Sequence, residues 1–233
     1  IAQFFRASNT CKMKRAIHNS IALTLVMGVV LTIVGLLFND PILKAIGVPS
    51  EVFSEASTYL SIYFWSLIFV MVYNMGSGIL RSVGDSKRPL YFLIFSSVVN
   101  IILDFLFVKY FHFGVAGAGY ATLIAQAISA IMVMYVLMKT EDDYKVILKE
   151  IGFDKEILLK IIKIGLPTGF QQSIVSLSNV IVQSYINVYG ASVIAGYSVT
   201  IKIDGFVNLP LQAFNMAITT FVGQNIGAKQ YDR

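Results

Sequence analysis

Six long apolar runs alternate with short polar connections along the chain. They cover residues 17–38, the interior of 52–79, 90–111, 115–138, 164–189 and 192–222. Each reaches the roughly 20 residues that a helix needs to cross a hydrocarbon core of about 30 Å. None shows the alternation over about ten residues that marks a barrel strand. A spanning segment must satisfy its own backbone polar groups, so the pattern predicts helices throughout: an all-α polytopic membrane protein with six transmembrane helices. Asn39-Asp40-Pro41 through Pro49 predicts a short loop after the first run. Residues 139–163 are the one hydrophilic stretch. Thr140-Glu141-Asp142-Asp143 predicts a helix start. Ile147, Leu148 and Ile151, then Ile157, Leu158, Ile161 and Ile162, predict two short amphipathic helices on the membrane surface around Gly152.

Composition sharpens this picture. Hydrophobic residues make up 56% of the 233 and charged residues 13%, about half the charged share of a soluble domain. The mean hydropathy is +0.73. The net charge of +5 would suggest nucleic acid if it formed one patch, but its residues sit between the apolar runs. Fifteen basic residues fall before the first run, after the second, between the fourth and fifth, and after the sixth; Lys44 and Lys109 alone fall in the other connections. The positive-inside rule then places both ends and residues 139–163 in the cytoplasm of a multi-pass plasma (bacterial inner) membrane protein. The positive charge serves topology and lipid contact, with no nucleic-acid partner. A single cysteine, Cys11, rules out an internal disulfide framework and a multi-Cys metal site. The sequence opens on Ile1 with no signal peptide ahead of the first run, and reads as a window on something longer.

Polar side chains inside the runs are the candidate chemistry. Asp104 sits mid-run in Ile101-Ile102-Leu103-Asp104-Phe105-Leu106-Phe107. A carboxylate at the bilayer centre costs about 2.5–3.5 kcal/mol, and an intramembrane acid is a functional candidate for that reason. Asn100 lies one turn earlier on the same face, where its amide can hydrogen-bond the acid or offer an oxygen to a cation. The competing reading is a structural Asp bonded to a neighbouring helix. Lys202 and Asp204 interrupt the sixth run; at i, i+2 they point to different faces, and line a wet cavity or meet a further helix. Gln171 belongs to a polar set in the fifth run, with Gln172, Ser173, Ser176, Asn179 and Gln183, that binds substrate or glues helices. Asn74, Tyr59 and Thr122 are lone polar groups, Tyr59 also fitting an interfacial anchor. Gly114, Gly117, Ala118 and Gly119 allow close backbone approach, and His18 and His112 read as interfacial. No H-E-x-x-H, G-x-S-x-G or Walker A pattern is present, so catalysis has no support in the sequence.

A weak internal echo links the two ends. Gln3 and Ala7 fall 221 residues before Gln224 and Ala228, as in the internal repeats of transporters.

Ile79-Leu80-Arg81-Ser82-Val83-Gly84-Asp85-Ser86-Lys87-Arg88-Pro89, Val99-Asn100-Ile101-Ile102-Leu103-Asp104, Gly114-Val115-Ala116-Gly117-Ala118-Gly119-Tyr120-Ala121-Thr122, Gly165-Leu166-Pro167 and Gly223-Gln224-Asn225-Ile226-Gly227-Ala228 resemble the multidrug and toxic compound extrusion (MATE) transporters, DinF-like and related bacterial branches. The resemblance covers nearly the whole chain. It implies a twelve-helix fold of two six-helix lobes. Residues 1–138 would then hold helices three to six of the N-lobe, 139–163 the cytoplasmic interlobe linker, and 164–233 helices seven and eight of the C-lobe. It further implies export of amphipathic or cationic organic compounds in exchange for H⁺ or Na⁺, with no other cofactor. A cation or proton site would use Asp104, Asn100 and Thr122, with Na⁺ on those three, and Tyr59 and Asn74 nearby. Lys202, Asp204 and Gln171 would line the substrate cavity. The partners implied are the bilayer, the small-molecule substrate and the remaining helices. Arg6 and Ser8-Asn9 depart from the glycine-bearing sequence usual after the Gln, and Val175-Ser176 stand where a NorM-type branch carries an acid.

Three other readings stay open. A lipid-linked oligosaccharide flippase of the same superfamily needs a cationic cavity, for which Lys202 is the candidate. A membrane-embedded enzyme needs paired catalytic groups at depth. The third is a truncated, non-functional product.

Overall fold

The computed structural model describes residues 1–7, 9–45, 48–187, 191–230 and 232. Helices follow one another in chain order: α1 (Ala2–Arg6), α2 (Thr10–Ala45), α3 (Ser50–Ser82), α4 (Lys87–Phe105), α5 (Gly114–Lys139), α6 (Lys155–Asn187) and α7 (Ala191–Gly227). A π-helical turn, Leu106–Tyr110, continues α4, and a 3₁₀ turn, Leu148–Glu150, lies between α5 and α6. No strand occurs among the described residues. The chain divides into two compact units, Ile1–Asp154 and Lys155–Arg233.

Four helices combine span length with span hydropathy among the described residues: α2, α3, α4 with its π turn, and α5. In the first unit α3 packs against both α2 and α5, and α4 packs on α5. Small and polar residues make the α2–α3 contact. Thr24, Gly28, Thr32, Gly35, Asn39 and Leu43 are buried at spacings of three and four, one stripe of a helix. A Cβ on Gly35 would lie 2.3 Å from Phe64, so the ring occupies the space a side chain would need. Lipid tails are as apolar as leucine, so close backbone approach and cross-helix hydrogen bonds are what hold such a pair. Thr32 donates to the Phe64 carbonyl at 3.1 Å. Asn39 Nδ2 donates to the Ser57 carbonyl at 2.9 Å and to Ser61 Oγ at 2.7 Å. The bundle's buried core joins Met13, Ile17 and Ile21 of α2 to Ile79 and Leu80 of α3 and to Val133 and Leu137 of α5.

The structure corrects the sequence reading at two connections. Asn39, Asp40 and Pro41 do not open a loop: α2 runs through them to Ala45, with Pro41 inside the helix. Asn39 is buried and bonded to α3, and that tertiary anchoring carries the helix past the proline. Residues 140–147 are not helical, and of the two amphipathic helices expected between 139 and 163 the first is a single 3₁₀ turn while the second is the first turns of α6. Thr140 Oγ1 donates to Asp142 Oδ2 at 2.9 Å and accepts from the Asp142 N–H at 3.3 Å, closing a local turn instead of starting a helix. Hydrogen bonds from Tyr144 and then Thr140 hold the Asp142 carboxyl below its ordinary value. Tyr144 and Val146 then bury against the bundle, and the Val146 N–H donates to the Leu137 carbonyl at 2.8 Å. His18, expected at an interface, is 3% exposed.

Between α3 and α4 the chain turns on Gly84, whose φ of +96° suits a residue without Cβ. Asp85 N–H donates to the Leu80 carbonyl at 2.9 Å, the long bond of a Schellman cap. Tyr73, buried in α3, donates to the Pro89 carbonyl at 2.8 Å and fixes where α4 begins.

In the second unit α6 and α7 touch each other, and most of their described side chains are exposed within this chain. They are 33 and 37 residues long, enough to span, and carry Pro167 and Pro210 in their interiors. Amides, hydroxyls and the leading lysines of α6 dilute its hydropathy. Thr168, Ser173 and Ser178 each donate to the carbonyl four residues back at 2.9 Å, so these hydroxyls are satisfied within their own helix.

The internal echo has a backbone counterpart. Ala7 N–H bonds the Gln3 carbonyl and Asn9 N–H the Phe4 carbonyl; Ala228 N–H bonds the Gln224 carbonyl and Gln230 N–H the Asn225 carbonyl, all at 3.0 Å. The same two bonds end a helix at both places, 221 residues apart. The Ser8 departure noted above lies outside the described residues.

Candidate functional site

The site builds from α4 and the helix it packs on, α5. Asn100 and Asp104 are half-buried one turn apart on α4, and the helix widens into its π turn two residues after Asp104. π turns insert an extra residue into the helical ladder and recur at functional sites. The chain then reverses through His112 and Gly114, both at positive φ, and enters α5. Close packing at this corner depends on Gly117, where a Cβ would stand 3.0 Å from Phe107 Cβ and 3.2 Å from its backbone carbon. That approach brings the start of α5 against the end of α4, and Thr122 follows little more than a turn later.

A small cavity of about 70 Å³ lies between the two helices, lined by Leu93, Ser96, Ser97, Asn100, Thr122 and Gln126, with Ala125. Thr122 gives its hydroxyl proton to the Ala118 carbonyl at 3.0 Å, which leaves its oxygen lone pairs available. Asn100 Nδ2 and Asp104 Oδ1 are buried and have no hydrogen-bond partner. A buried polar atom left unpaired costs about 1–3 kcal/mol, more when the group is charged. Asp104 Oδ1 is an acceptor without a donor, the kind of atom a proton or cation satisfies; Asn100 Nδ2 is a donor without an acceptor, and only the oxygen of that amide could face a cation. Among the described residues no three His, Cys, Asp or Glu side chains come together. A cation here would meet one carboxylate and neutral oxygens, the donors that hard cations take.

The structure brings together part of the expected set. Asn100 and Thr122 share the cavity; Asp104 lies a turn beyond it on the face of Asn100 and does not line it. Asn74 and Tyr59 fall on exposed positions of α3, fifteen residues apart, and line neither this cavity nor the next. At 1.5 Å per residue that is about 22 Å along the helix, too far for one ion to touch both. Gln171 sits on α6 and Lys202 and Asp204 on α7, all exposed, with the Asp204 carbonyl accepting Asn208 Nδ2 at 2.8 Å. They belong to the second unit. Sequence reasoning missed Ser96, Ser97 and Gln126. Gln126 stands four residues after Thr122, and Ser96 four before Asn100, so helical periodicity alone could have added both.

A second cavity, about 480 Å³, opens between α3 and α5 and is lined by Ser57, Thr58, Ser61, Ile62, Trp65 and Tyr120, with Leu123. Ser57 Oγ donates to Asp40 Oδ1 at 2.8 Å at its edge.

With this geometry in place, the comparisons with known proteins give one answer. The sequence profile of the MatE family matches residues 1–106 and 167–233. The "Probable multidrug resistance protein YoeA" of Bacillus subtilis is 32% identical over 240 residues, covering 100% of this chain and 52% of its own length. "Multidrug export protein MepA" of Staphylococcus aureus is 25% identical over 230 residues, covering 99% of this chain and 51% of its own. A solved multidrug resistance MATE family transporter in an outward-facing conformation superposes with a TM-score of 0.89 at 26% identity, over 98% of this chain and 51% of that one. The chain thus spans about half the length of the relatives it matches. Those relatives are transporters by name, not enzymes, and the helical bundle is a membrane protein corresponding to part of their twelve-helix fold. By profile, sequence and superposition alike, the chain belongs to the MatE family of multidrug and toxic compound extrusion transporters.

Proposed function

We propose that this chain supplies the cation-binding half of an antiporter that exports amphipathic or cationic organic compounds from a bacterial cell in exchange for H⁺ or Na⁺. The names of its relatives, multidrug resistance and multidrug export proteins, support the export of drugs. Residues 1–138 act as helices three to six of the N-lobe, 139–163 as the interlobe linker and 164–233 as helices seven and eight. Both ends face the cytoplasm, as the basic residues favour.

The observation that carries the reading is the buried, unpartnered Asp104 Oδ1, one helical turn after Asn100. An ionised Asp104 at membrane depth costs a few kcal/mol. A proton, or a sodium ion shared with the Asn100 and Thr122 oxygens, relieves that cost and couples ion occupancy to the packing of α4 on α5. Drug and ion then act on each other by favouring different arrangements of the same lobe, the reciprocal linkage that exchange requires. Asn74 and Tyr59, on exposed positions of α3 and outside this cavity, are the further polar groups of the proposed cation path. Lys202, Asp204 and Gln171 are the polar contacts on the second unit for a substrate. A lipid-linked oligosaccharide flippase is the second reading, favoured by Lys202 as a basic group deep in α7.

The test expresses the protein in cells lacking their own exporters. Export reading: ethidium-like or fluoroquinolone-like compounds accumulate less. Unchanged accumulation of every cation tried, together with translocation of a lipid-linked sugar, overturns it in favour of the flippase.

A further inference from the structure

We propose that residues 147–154 form a proton-released latch on the first turns of α2, with His18 as its sensor. The inference stands apart from the ion site above and depends on the proposed orientation only for naming the cytoplasm as the side whose pH is read.

The ring of His18 is held at both nitrogens. Nδ1 lies 2.7 Å from the Lys14 carbonyl, and the Ile147 backbone N–H points to Nε2 at 3.0 Å. A carbonyl only accepts and a backbone N–H only donates. The ring proton is therefore on Nδ1, Nε2 offers its lone pair, and the imidazole is neutral. Two further bonds hold the same segment. Asn19, fully buried, donates from Nδ2 to the Asp154 carbonyl at 2.8 Å, and Arg15 stands 3.6 Å from the Asp154 carboxylate. Contacts of 135 and 129 residues' separation thus pin this segment to one helical turn.

The sensor is within reach of water. An open cavity of about 460 Å³ is lined by His18, Cys11, Lys14, Arg15, Glu150 and Asp154. A proton taken from this water by Nε2 forms an N–H bond where the lone pair was. The Ile147 N–H then faces another donor and loses its acceptor. The charged groups around the ring are Lys14 and Arg15 on α2, and Glu150, Asp154 and Asp143 on the connecting segment, with Lys14 4.0 Å from Asp143. Glu150 Oε2 is 3.9 Å from Nε2 and would take up the new N–H, drawing its own turn toward α2. Glu150 is 54% exposed and beyond hydrogen-bond distance, so its attraction is screened, whereas the Ile147 bond is direct and the ring is 3% exposed. The neutral ring therefore holds the docked segment, and a ring that carries a proton on Nε2 cannot. Protonation exchanges a backbone anchor for a side-chain one.

Hydrogen exchange at the Ile147 amide, read by mass spectrometry on the purified protein in lipid nanodiscs and corrected for intrinsic rates, tests the latch. The expected result is a loss of at least about tenfold in protection between about pH 8 and about pH 5.5, the range in which histidine switches act. His18→Gln places Oε1 where Nε2 was and does not titrate, so protection should persist at both values. Glu150→Gln leaves His18 and its bond from Ile147 in place and should keep the pH-dependent loss. Constant protection in the wild type, an equal loss in His18→Gln, or no loss in Glu150→Gln would each overturn the proposal.

Discussion

Four glycines in the bundle differ in what a methyl group would meet, and this predicts a ranked series of Gly→Ala effects. At Gly76 the new Cβ would lie 2.8 Å from both methyls of Val133. Val133 is fully buried and β-branched, so neither rotation nor retreat is open to it. Overpacking of that kind costs about 1–3 kcal/mol, against up to about 1 kcal/mol regained in helix propensity. Gly76→Ala should therefore destabilise by about 1–2 kcal/mol. At Gly35 the clash is shorter, 2.3 Å to Phe64 Cδ1 and 2.6 Å to the ring's root at Cγ, so the whole ring must leave its place, and Gly35→Ala should also destabilise, by about 1–3 kcal/mol. Gly28, 3.1 Å from Ile68 Cγ1, should be close to neutral, and Gly78, with nothing within 4 Å, should gain stability. Thermal unfolding of the purified protein in detergent reads the order, at about 2–4 °C per kcal/mol for a chain of this size. Gly76→Ala combined with Val133→Ala should recover part of the loss, because the two sites share one contact. The reasoning fails if Gly78→Ala melts at or below Gly76→Ala, or if the double variant shows no coupling.

Reporter fusions at Lys109 should report the outer side and fusions within residues 141–143 the cytoplasm; a cytoplasmic signal at Lys109 would defeat the proposed topology. Asn39→Leu should destabilise the α2–α3 pair by about 1 kcal/mol, because it removes the cross-helix bonds that a side chain 4% exposed makes to Ser57 and Ser61, and the same melting assay checks it; an unchanged melting temperature would mean the bonds contribute nothing net.

Element type was readable because the apolar runs are long and uninterrupted, and lipid leaves few alternatives to helix. The ends of elements were harder. Pro41 is ordinary loop chemistry, and only the buried bonds of Asn39 to α3 explain why α2 continues beyond it. Thr140 to Asp143 carries helix-start residues, but they close a local turn, and Tyr144 and Val146 find burial against the bundle instead of continuing a helix. Asn100, Asp104 and Thr122 were legible as polar groups in apolar runs. The cavity that Asn100 and Thr122 line was half legible: Gln126 and Ser96 follow from helical spacing, whereas the π turn after Asp104 has no sequence signal that periodicity reads. Asn74 and Tyr59 were grouped with the site through resemblance, and α3 carries them on exposed faces away from its cavity. His18 looked interfacial because it ends an apolar run; its partner Ile147 is 129 residues away, a contact no local pattern encodes.

The central claim is that Asp104 is the group through which an ion gradient drives export. Asp104→Asn keeps its shape and removes the charge. The direct measurement is drug uptake into proteoliposomes under an imposed proton or sodium gradient, comparing wild type, Asp104→Asn and Asn100→Ala at equal protein incorporation. The account predicts gradient-driven transport in the wild type, its loss in Asp104→Asn with the fold intact, and partial loss in Asn100→Ala, where water can replace an amide oxygen. Transport by Asp104→Asn at the wild-type rate under the same gradient would show the carboxylate to be structural and contradict the account.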